Sequence, residues 1–266
     1  MKILQKKHIK LVLVLLTVFM CLTIISAAET ISPAEEQPMG SLTQGSFTIQ
    51  IPGFNAITIN LLTGFRLNGI IFFVTLVLSL PLGMVVAFGL LSKFAPLRWL
   101  CKTIVWVVRG TPLLLQLYIV FFVPGLIFGT PMRDRMLAAL IAFVINYTMY
   151  FAEIYRGALE NMPKGQFEAG KVLGLSKWQV FFHIILFQVI KNITAPIGNE
   201  VMTLVKDTSL ARVIAVHEIL MRAESYANMG IIWPLFYSGA FFLIATAIVT
   251  LVFGYFERRL KRATGQ

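Results

Sequence analysis

The sequence predicts an all-α integral membrane protein with five core transmembrane helices, and three observations support this fold class. The chain of 266 residues is 58% hydrophobic and only 13% charged, whereas a soluble domain carries about 25% charged residues. Its mean hydropathy is +0.81, so a soluble fold would expose more apolar surface than water tolerates. Long apolar stretches also recur at the length of a bilayer crossing, about 20 residues.

The N-terminal 60 residues are expected to lie outside this core. Residues 1–28 have a lysine-rich start, an apolar run at 11–25 and small residues at 26–28, the pattern of a secretory signal. Either this segment is a cleaved signal peptide or it is an uncleaved extra span, and both place residue 29 outside. Residues 29–60 are interpreted as an external lead-in, with a short interfacial helix around Ala56–Phe65.

Five apolar stretches are predicted to cross the membrane, within a transmembrane domain over 61–261 that is followed by a short tail at 262–266. In chain order they are Ile70–Leu91, Ile104–Phe128, Met136–Tyr155, Ile190–Leu204 and Trp233–Phe256. The fourth is weak because Asn192, Pro196 and Glu200 interrupt it. A polar group in lipid is costly, so we expect an irregular span that faces protein or a water-filled path.

The basic residues are distributed unevenly around these spans, and their distribution predicts the orientation. If the loops after the first and third spans and the C-terminal tail are inside, the inner side holds Lys93, Arg98, Lys102, Arg109, Arg156, Lys164, Lys171, Lys177, Lys191, Arg258, Arg259, Lys261 and Arg262. The outer side has fewer basic residues, and acidic residues balance them. The net charge of +11 is therefore interpreted as a topology signal and not as a nucleic-acid-binding surface.

A polar, basic segment, Glu153–Gln188, separates the third and fourth spans and is predicted to form two short helices around a tight corner. Pro163 suits the first turn of a helix, and Gly174 suits the left-handed residue that ends it. Ser176 and Gln179 have the spacing of a capping box for the second helix. Such a compact element between two spans would give a soluble partner something to grip.

The same segment resembles the cytoplasmic motif of bacterial ABC importer permeases, over a coupling loop at about 156–188. That motif is Glu-Ala-Ala, three residues, Gly, nine residues, Ile, one residue and Leu-Pro. The matching positions here are Glu168, Ala169, Gly170, Gly174, Ile184 and Leu186. Gly170 replaces the second Ala and keeps a small residue there, whereas Phe187 replaces the Pro and leaves open only the kink after the helix.

Two further stretches, 108–117 and 204–210, narrow the resemblance to the polar amino-acid permeases of the histidine and glutamine type. The first reads VRGTPLLLQL and the second reads LVKDTSL. Together with the polar residues of the spans, they supply the candidate residues for a translocation path or gate. These are Arg109, Thr111, Pro112, Glu153, Asn199, Glu200, Lys206, Asp207, Thr208 and Ser209.

Plainer interpretations stay open for each of these candidates. Arg109 and Pro112 can be a headgroup anchor and a kink, and Glu153 can form an ion pair with Arg156, three residues on. Glu200 can bind a substrate ammonium group, whereas Asn199 either contacts substrate or bonds a broken helix. Lys206 and Asp207 can pair with each other, and the two hydroxyl residues after them can cap the next helix.

The resemblance implies a type I ABC importer permease in a bacterial cell membrane, with its C-terminus cytoplasmic. It implies a second, identical or similar permease subunit, two cytoplasmic ATPase subunits and an external substrate-binding protein. No cofactor or metal is expected on this chain. Gly165–Lys171 fits the start of a phosphate-binding loop, but Val172 replaces the hydroxyl that would hold magnesium. ATP and magnesium are thus expected on the partner ATPase, and the chain itself is not expected to be an enzyme.

Alternatives remain within and outside this function. The cargo can be another small polar metabolite, because the shared motifs do not identify the cargo. A secondary transporter driven by an ion gradient would require membrane carboxylates or an inverted repeat, and Glu200 is the single deep candidate.

Overall fold

The computed structural model describes residues 53–130 and 132–263, and this part of the chain is helical without any strand. The predicted signal at 1–28 and the lead-in up to residue 52 lie outside the described residues. In chain order the α-helices are α1 Phe54–Leu90, α2 Ala95–Gly110, α3 Leu113–Phe128, α4 Arg135–Glu160, α5 Lys164–Val172, α6 Lys177–Val180, α7 Leu186–Asp207, α8 Ile219–Asn228 and α9 Trp233–Ala263. A π-helical turn at Phe181–Ile185 joins α6 to α7, and a 3₁₀ helix at Thr208–Ile214 follows α7.

Four helical segments of the described residues are long and apolar enough to cross a membrane, and a bent pair makes five. The four are α1, α4, the continuous segment Trp178–Ile214 and α9, while α2 and α3 form the pair. This arrangement confirms the predicted all-α class with five core spans.

The second predicted span, Ile104–Phe128, is sharply bent at the proline that was expected to disturb it. Helices α2 and α3 meet at 105°. Thr111 has φ −113° and ψ 143°, because a residue that precedes proline is pushed out of the helical region. Pro112, which has no N–H to donate, then stands at the N-cap of α3.

The short interfacial helix expected around Ala56–Phe65 is also not a separate element, since it is the first part of the 37-residue helix α1. Gly64 does not break this helix. A Cβ on Gly64 would lie 2.8 Å from Ile219 Cα, so the glycine permits α8 to pack closely against α1.

The fourth span is regular, contrary to the expected irregularity. Helix α7 runs without interruption from Leu186 to Asp207 with Pro196 inside it, which membrane helices tolerate when neighbours satisfy the backbone. The irregular turns lie at its two ends instead, at Phe181–Ile185 and Thr208–Ile214.

The core is built around α4, which packs against α1, α3 and α7. Its inward face has small residues near its start and large ones further on: Ala138, Ala142, Phe143, Tyr147 and Phe151 are all at most 1% exposed. Small residues let membrane helices approach closely. Helix α4 is therefore a fixed centre on which polar side chains can be positioned.

Candidate functional site

The corner between α5 and α6 is built as its sequence predicts. Gly174 has φ +69°, a conformation that costs a residue with a Cβ about 1–2 kcal/mol. The N–H groups of Leu173, Gly174 and Leu175 donate to the carbonyls of Ala169, Lys171 and Gly170 at 3.0–3.1 Å. These bonds satisfy the last carbonyls of α5 and turn the chain sharply.

The capping box at the start of α6 is also present. The backbone N–H of Ser176 donates to Gln179 Oε1 at 2.8 Å, and the N–H of Gln179 donates to Ser176 Oγ at 3.3 Å. Pro163 differs slightly from its predicted place, because it is the N-cap of α5 and not a residue of its first turn.

Gly170 permits the close contact between α5 and α6. A Cβ at this position would lie 2.3 Å from Val180 Cγ2, so even alanine would require the neighbouring side chain to move. Val180 is 2% exposed and packs in one cluster with Met162, Ile185 and Val189. The corner is therefore packed firmly onto the end of α4 and the start of α7.

The six predicted coupling residues divide into two groups. Glu168, Ala169 and Gly174 are exposed on the corner, and Gly170 is buried inside it. Ile184 and Leu186 are half-buried at its base, where the chain continues through the π-helical turn into α7 without the kink that a proline at position 187 would produce. An apolar surface surrounds the exposed group: Phe167, Val172, Leu173, Trp178 and Phe182 are 45–88% exposed.

The bend between α2 and α3 is held by one glutamine. Gln116 Nε2 donates to Val108 O at 2.7 Å and to Thr111 Oγ1 at 2.9 Å, and its Oε1 accepts from Asn146 Nδ2 at 3.1 Å. Thr111 Oγ1 donates to Val107 O at 3.1 Å. The backbone groups released by the break thus find partners, and α4 is tied to the bend.

Charged side chains meet at the C-terminal end of α4. Arg156 Nε donates to Glu153 Oε2 at 2.9 Å, and its Nη1 contacts Glu160, so the expected ion pair forms. Arg109 Nη1 lies 3.8 Å from Glu153 Oε1, and its guanidinium lies 5.1 Å from the centre of the Tyr150 ring. The end of α2 is thus joined electrostatically to α4.

Further along the interior, Tyr147 Oη donates to Asp207 Oδ2 at 2.8 Å. The structure shows this bond in place of the Lys206–Asp207 ion pair considered for the sequence. Glu200 is half-buried on α7, seven residues before Asp207 and thus on the same face of that helix. With Arg109, Glu153 and Tyr147, these two carboxylates form a polar strip that spans three helices.

The other path candidates lie around this strip. Asn199 and Lys206 are exposed on α7. The hydroxyls of Thr208 and Ser209 donate to the carbonyls of Val205 and Lys206 at 2.7 and 2.8 Å, so of the alternatives for these two residues, capping of the next helix does not occur.

Helix α8 is capped instead by Glu218, a fully buried carboxylate. It accepts from the backbone N–H of Leu220 and Met221 at 3.0 and 2.7 Å, and from Asn68 Nδ2 at 3.0 Å. Asn68 Nδ2 also donates to Thr208 Oγ1 at 3.0 Å, and its Oδ1 accepts from Ile219 N at 3.1 Å. Burial raises the pKa of Glu218, and these hydrogen bonds oppose the rise.

Sequence reasoning missed four residues of this arrangement: Gln116, Tyr147, Asn68 and Glu218. Gln116 and Tyr147 stand in stretches whose polar character is visible. Glu218 shows a signal too, since an acidic residue immediately precedes an apolar helix. Nothing local distinguishes Asn68, because its partners are 140 and 150 residues away.

The arrangement suits transport more than bond chemistry. Its acidic groups and hydroxyls can exchange hydrogen bonds and charge with a small polar solute. A firmly packed corner with an exposed apolar surface is joined to one of the helices that carry these groups. Motion of the corner can therefore reach the polar strip through α7.

The comparisons with known proteins agree with this geometry. The family described as "Binding-protein-dependent transport system inner membrane component" matches residues 79–262. The L-cystine transport system permease protein TcyB of Bacillus subtilis (strain 168) is 36% identical over 190 residues, which cover 70% of this chain and 80% of TcyB. The arginine transport system permease protein ArtQ of the same organism is 32% identical over 203 residues, covering 76% of this chain and 92% of ArtQ.

A solved structure is similar over nearly all of its own length. The crystal structure of "an amino acid ABC transporter with histidines" superposes with a TM-score of 0.71 and 25% identity, covering 79% of this chain and 99% of that chain. On these matches, the chain belongs to the family of binding-protein-dependent transport system inner membrane components, the multi-pass permease subunits of ABC importers.

Proposed function

We propose that this chain is the permease subunit of an ATP-driven importer of polar amino acids. The observation that carries the proposal is the α5–α6 corner, an exposed element held by local hydrogen bonds and packed onto two spans. The amino-acid cargo is supported by the names of the relatives, which are permeases for L-cystine and arginine.

In this proposal the corner docks onto a cytoplasmic ATPase subunit. Its exposed aromatic and aliphatic side chains, Phe167, Val172, Leu173, Trp178 and Phe182, supply an apolar contact surface, and Glu168 adds a charge. A pair of ATPases and a second permease subunit, identical or similar, complete the complex. An external binding protein delivers the solute. Nucleotide and magnesium bind to the ATPases, so this chain catalyses no reaction itself.

The mechanism follows from the stiffness of the connection. When the ATPases close on ATP, they draw the two corners together, and each corner moves α7 and the end of α4 with it. The polar strip around Glu200 and Asp207 then opens to the outside. Hydrolysis restores the inward-facing arrangement, and the Arg109–Glu153 contact lies where the inner end of the path would close.

The proposal includes an orientation. Helix α9 ends in Arg258, Arg259 and Arg262, and the corner is basic, so both are assigned to the cytoplasm of a bacterial cell. Cysteine accessibility labelling at Lys164→Cys and Lys177→Cys tests this assignment. Labelling from outside intact cells would contradict it.

Reconstitution tests the function as a whole. The chain would be purified with its partner ATPase and reconstituted into vesicles, together with the binding protein and radiolabelled polar amino acids. We expect uptake that requires ATP on the ATPase side and survives collapse of ion gradients. Uptake that follows an imposed ion gradient without ATP would indicate a secondary transporter. ATP-driven uptake of a different polar metabolite would support the assignment as an importer but contradict the amino-acid cargo.

A further inference from the structure

Helix α2 presents two exposed stripes of opposite character, and the proposed transport function uses neither. The apolar stripe consists of Leu97, Leu100, Ile104 and Val107, which are 42–52% exposed. Residues three or four positions apart share one face of a helix. This stripe therefore faces away from the rest of the chain along most of the length of α2.

The basic stripe consists of Arg98 and Lys102, one helical turn apart, and Lys93 precedes them in the loop between α1 and α2. All three are exposed, and within the described residues none of them forms an ion pair. Arg98 Nη1 donates to the carbonyl of Ser92 at 3.3 Å. At about 3.6 residues per turn the basic and apolar stripes fall on opposite sides of the helix.

The packed face of α2 fixes how these stripes are directed. Val105 is buried, and it packs with the partly buried Cys101 against Leu90 at the end of α1 and Ala152 near the end of α4. Helix α2 therefore crosses the ends of two spans. Helix α2 lies at 105° to α3, so it runs along the membrane plane if α3 crosses the bilayer. The apolar stripe then faces the hydrocarbon and the basic stripe faces water.

Two tryptophans mark the remaining face. Trp99 and Trp106, seven residues apart, are 70% and 76% exposed and lie next to the basic stripe around the helix. Tryptophan is enriched at the level of lipid headgroups. An amphipathic helix with cations on one face and large apolar residues on the other is typical of binding in the interface.

We propose that this surface of α2 binds anionic phospholipids of the cytoplasmic leaflet. Lys93, Arg98 and Lys102 contact the headgroup phosphates, and the apolar stripe contacts the upper acyl chains. Charge favours a lipid over a second copy of this chain, because a second copy would bring the same three cations to the contact. The inference rests on the proposed function only in assigning this surface to the cytoplasmic leaflet.

Lipid-selective quenching of tryptophan fluorescence tests the inference directly. The variant Trp178→Phe/Trp233→Phe retains Trp99 and Trp106 as its only tryptophans. It would be placed in nanodiscs of mixed phosphatidylcholine and phosphatidylglycerol, in which one lipid at a time is brominated on its upper acyl chains, at equal total bromine. We expect brominated phosphatidylglycerol to quench more strongly, with a local enrichment of about five-fold or more at low salt.

Neutralising the cations provides the decisive comparison. In Arg98→Gln/Lys102→Gln the enrichment should fall toward one. In the matched control Arg133→Gln/Arg135→Gln the enrichment should not change. These two exposed arginines lie at the start of α4, whereas α2 packs near the other end of that helix. Equal quenching by both lipids, or enrichment that survives the first pair of substitutions, would overturn the proposal. Absence of quenching by either lipid would overturn it too, and would indicate a protein partner on this face.

Both leaflets of a nanodisc have the same composition, so the result does not depend on orientation, ATPases or cargo. Elution of each variant as a single species in size-exclusion chromatography excludes misfolding as the cause of a lost signal.

Discussion

The α5–α6 corner and the polar strip of the spans are built in contrasting ways. The corner is held by contacts between residues close in sequence, such as Ser176 with Gln179 and Gly170 with Val180. The strip is held by contacts across the chain: Asn146 bonds a residue 30 positions away, and Tyr147 bonds one 60 positions away. Beside the strip, Asn68 donates to Glu218, which is 150 positions away in the sequence.

This difference separates two tasks. A corner whose shape is fixed locally can move as one body and pass a force to α7. The strip changes when its helices move relative to one another, because the Tyr147–Asp207 and Arg109–Glu153 contacts each have their two partners on separate helices. The corner is thus suited to transmit motion and the strip to respond to it.

The largest expected effect comes from breaking the corner itself. Gly174→Pro cannot adopt φ +69°, since proline fixes φ near −65°, and Glu168→Lys reverses an exposed charge on the same surface. We expect either variant to abolish ATP-driven uptake while the protein still inserts into the membrane. The measurement is uptake in vesicles with the partner ATPase, beside quantification of the inserted protein.

Gly174→Asn serves as the matched control, because asparagine tolerates the left-handed conformation and should retain most of the uptake. Normal uptake by the proline or the lysine variant would mean that the corner does not carry the coupling.

The contrast also explains how much of the molecule the sequence predicts. The number of spans follows from composition, and the corner follows from Gly174, Ser176 and Gln179, because capping is decided within a few residues. The 105° bend was missed, although Pro112 was identified, since a proline predicts a disturbance and not its angle. Its stabilisation by Gln116 needs Asn146, which only the folded chain brings near.

The strip was predicted as a set of residue types and not as a set of bonds. The sequence suggested Lys206, the adjacent residue, as the partner of Asp207, whereas in the structure Asp207 accepts from Tyr147 on another helix. Asn68 gave no signal, since a single asparagine in an apolar helix fits many roles. Long-range polar pairing in membranes is therefore the part that local patterns do not predict.

Among the long-range contacts, loss of Asn68 should have the largest effect on stability. Asn68→Leu removes the side-chain donor to Glu218 and Thr208 and the acceptor for Ile219 N. Removing one of the three donors to a buried carboxylate, together with the acceptor for a buried N–H, should lower the free energy of unfolding by about 2–3 kcal/mol. Thermal unfolding in detergent measures this, with the exposed Asn55→Leu on the same helix as the control. Equal melting temperatures of the two variants would show that the contact contributes little.

The pH dependence of stability tests the contribution of Glu218, the partner of Asn68 in this contact. Burial raises its pKa, so the folded state holds this proton more tightly than the unfolded state. The contribution of this carboxyl to stability is therefore full below its usual pKa and is lost as the pH rises through the raised value. We expect part of the fall in melting temperature as the pH rises above the usual carboxyl pKa of about 4.3 to disappear in Glu218→Gln.

The control is Glu224→Gln, at a half-buried position of the same helix that pairs with Arg212, and it should leave this pH dependence in place. A Glu218→Gln variant with the slope of the unsubstituted protein would show that Glu218 titrates as it does in the unfolded chain.

The local packing of the corner can be measured with a double-mutant cycle. Gly170→Ala places a methyl group against Val180 and should cost about 1–3 kcal/mol through overpacking. Val180→Ala should make room for it, so the double variant should be more stable than the sum of the two single changes predicts. Melting temperatures of all four proteins give the interaction energy. Additive effects would show that Val180 moves aside freely and that the corner is not rigid.

The smallest effect is expected at Tyr147, and it tests whether the strip responds as the comparison implies. Tyr147→Phe keeps the ring in the core but removes the donor to Asp207, which should cost about 1–2 kcal/mol. Tyr155→Phe is the matched control, since it lies on the same helix, is 6% exposed, and its hydroxyl has no hydrogen bond within the described residues. If the bond between α4 and the end of α7 changes during transport, Tyr147→Phe should alter the rate of uptake by more than its loss of stability explains, whereas the control should alter neither. An unchanged uptake rate at the expected loss of stability would mean that the bond only stabilises the fold. The strip would then not respond to movement of the helices.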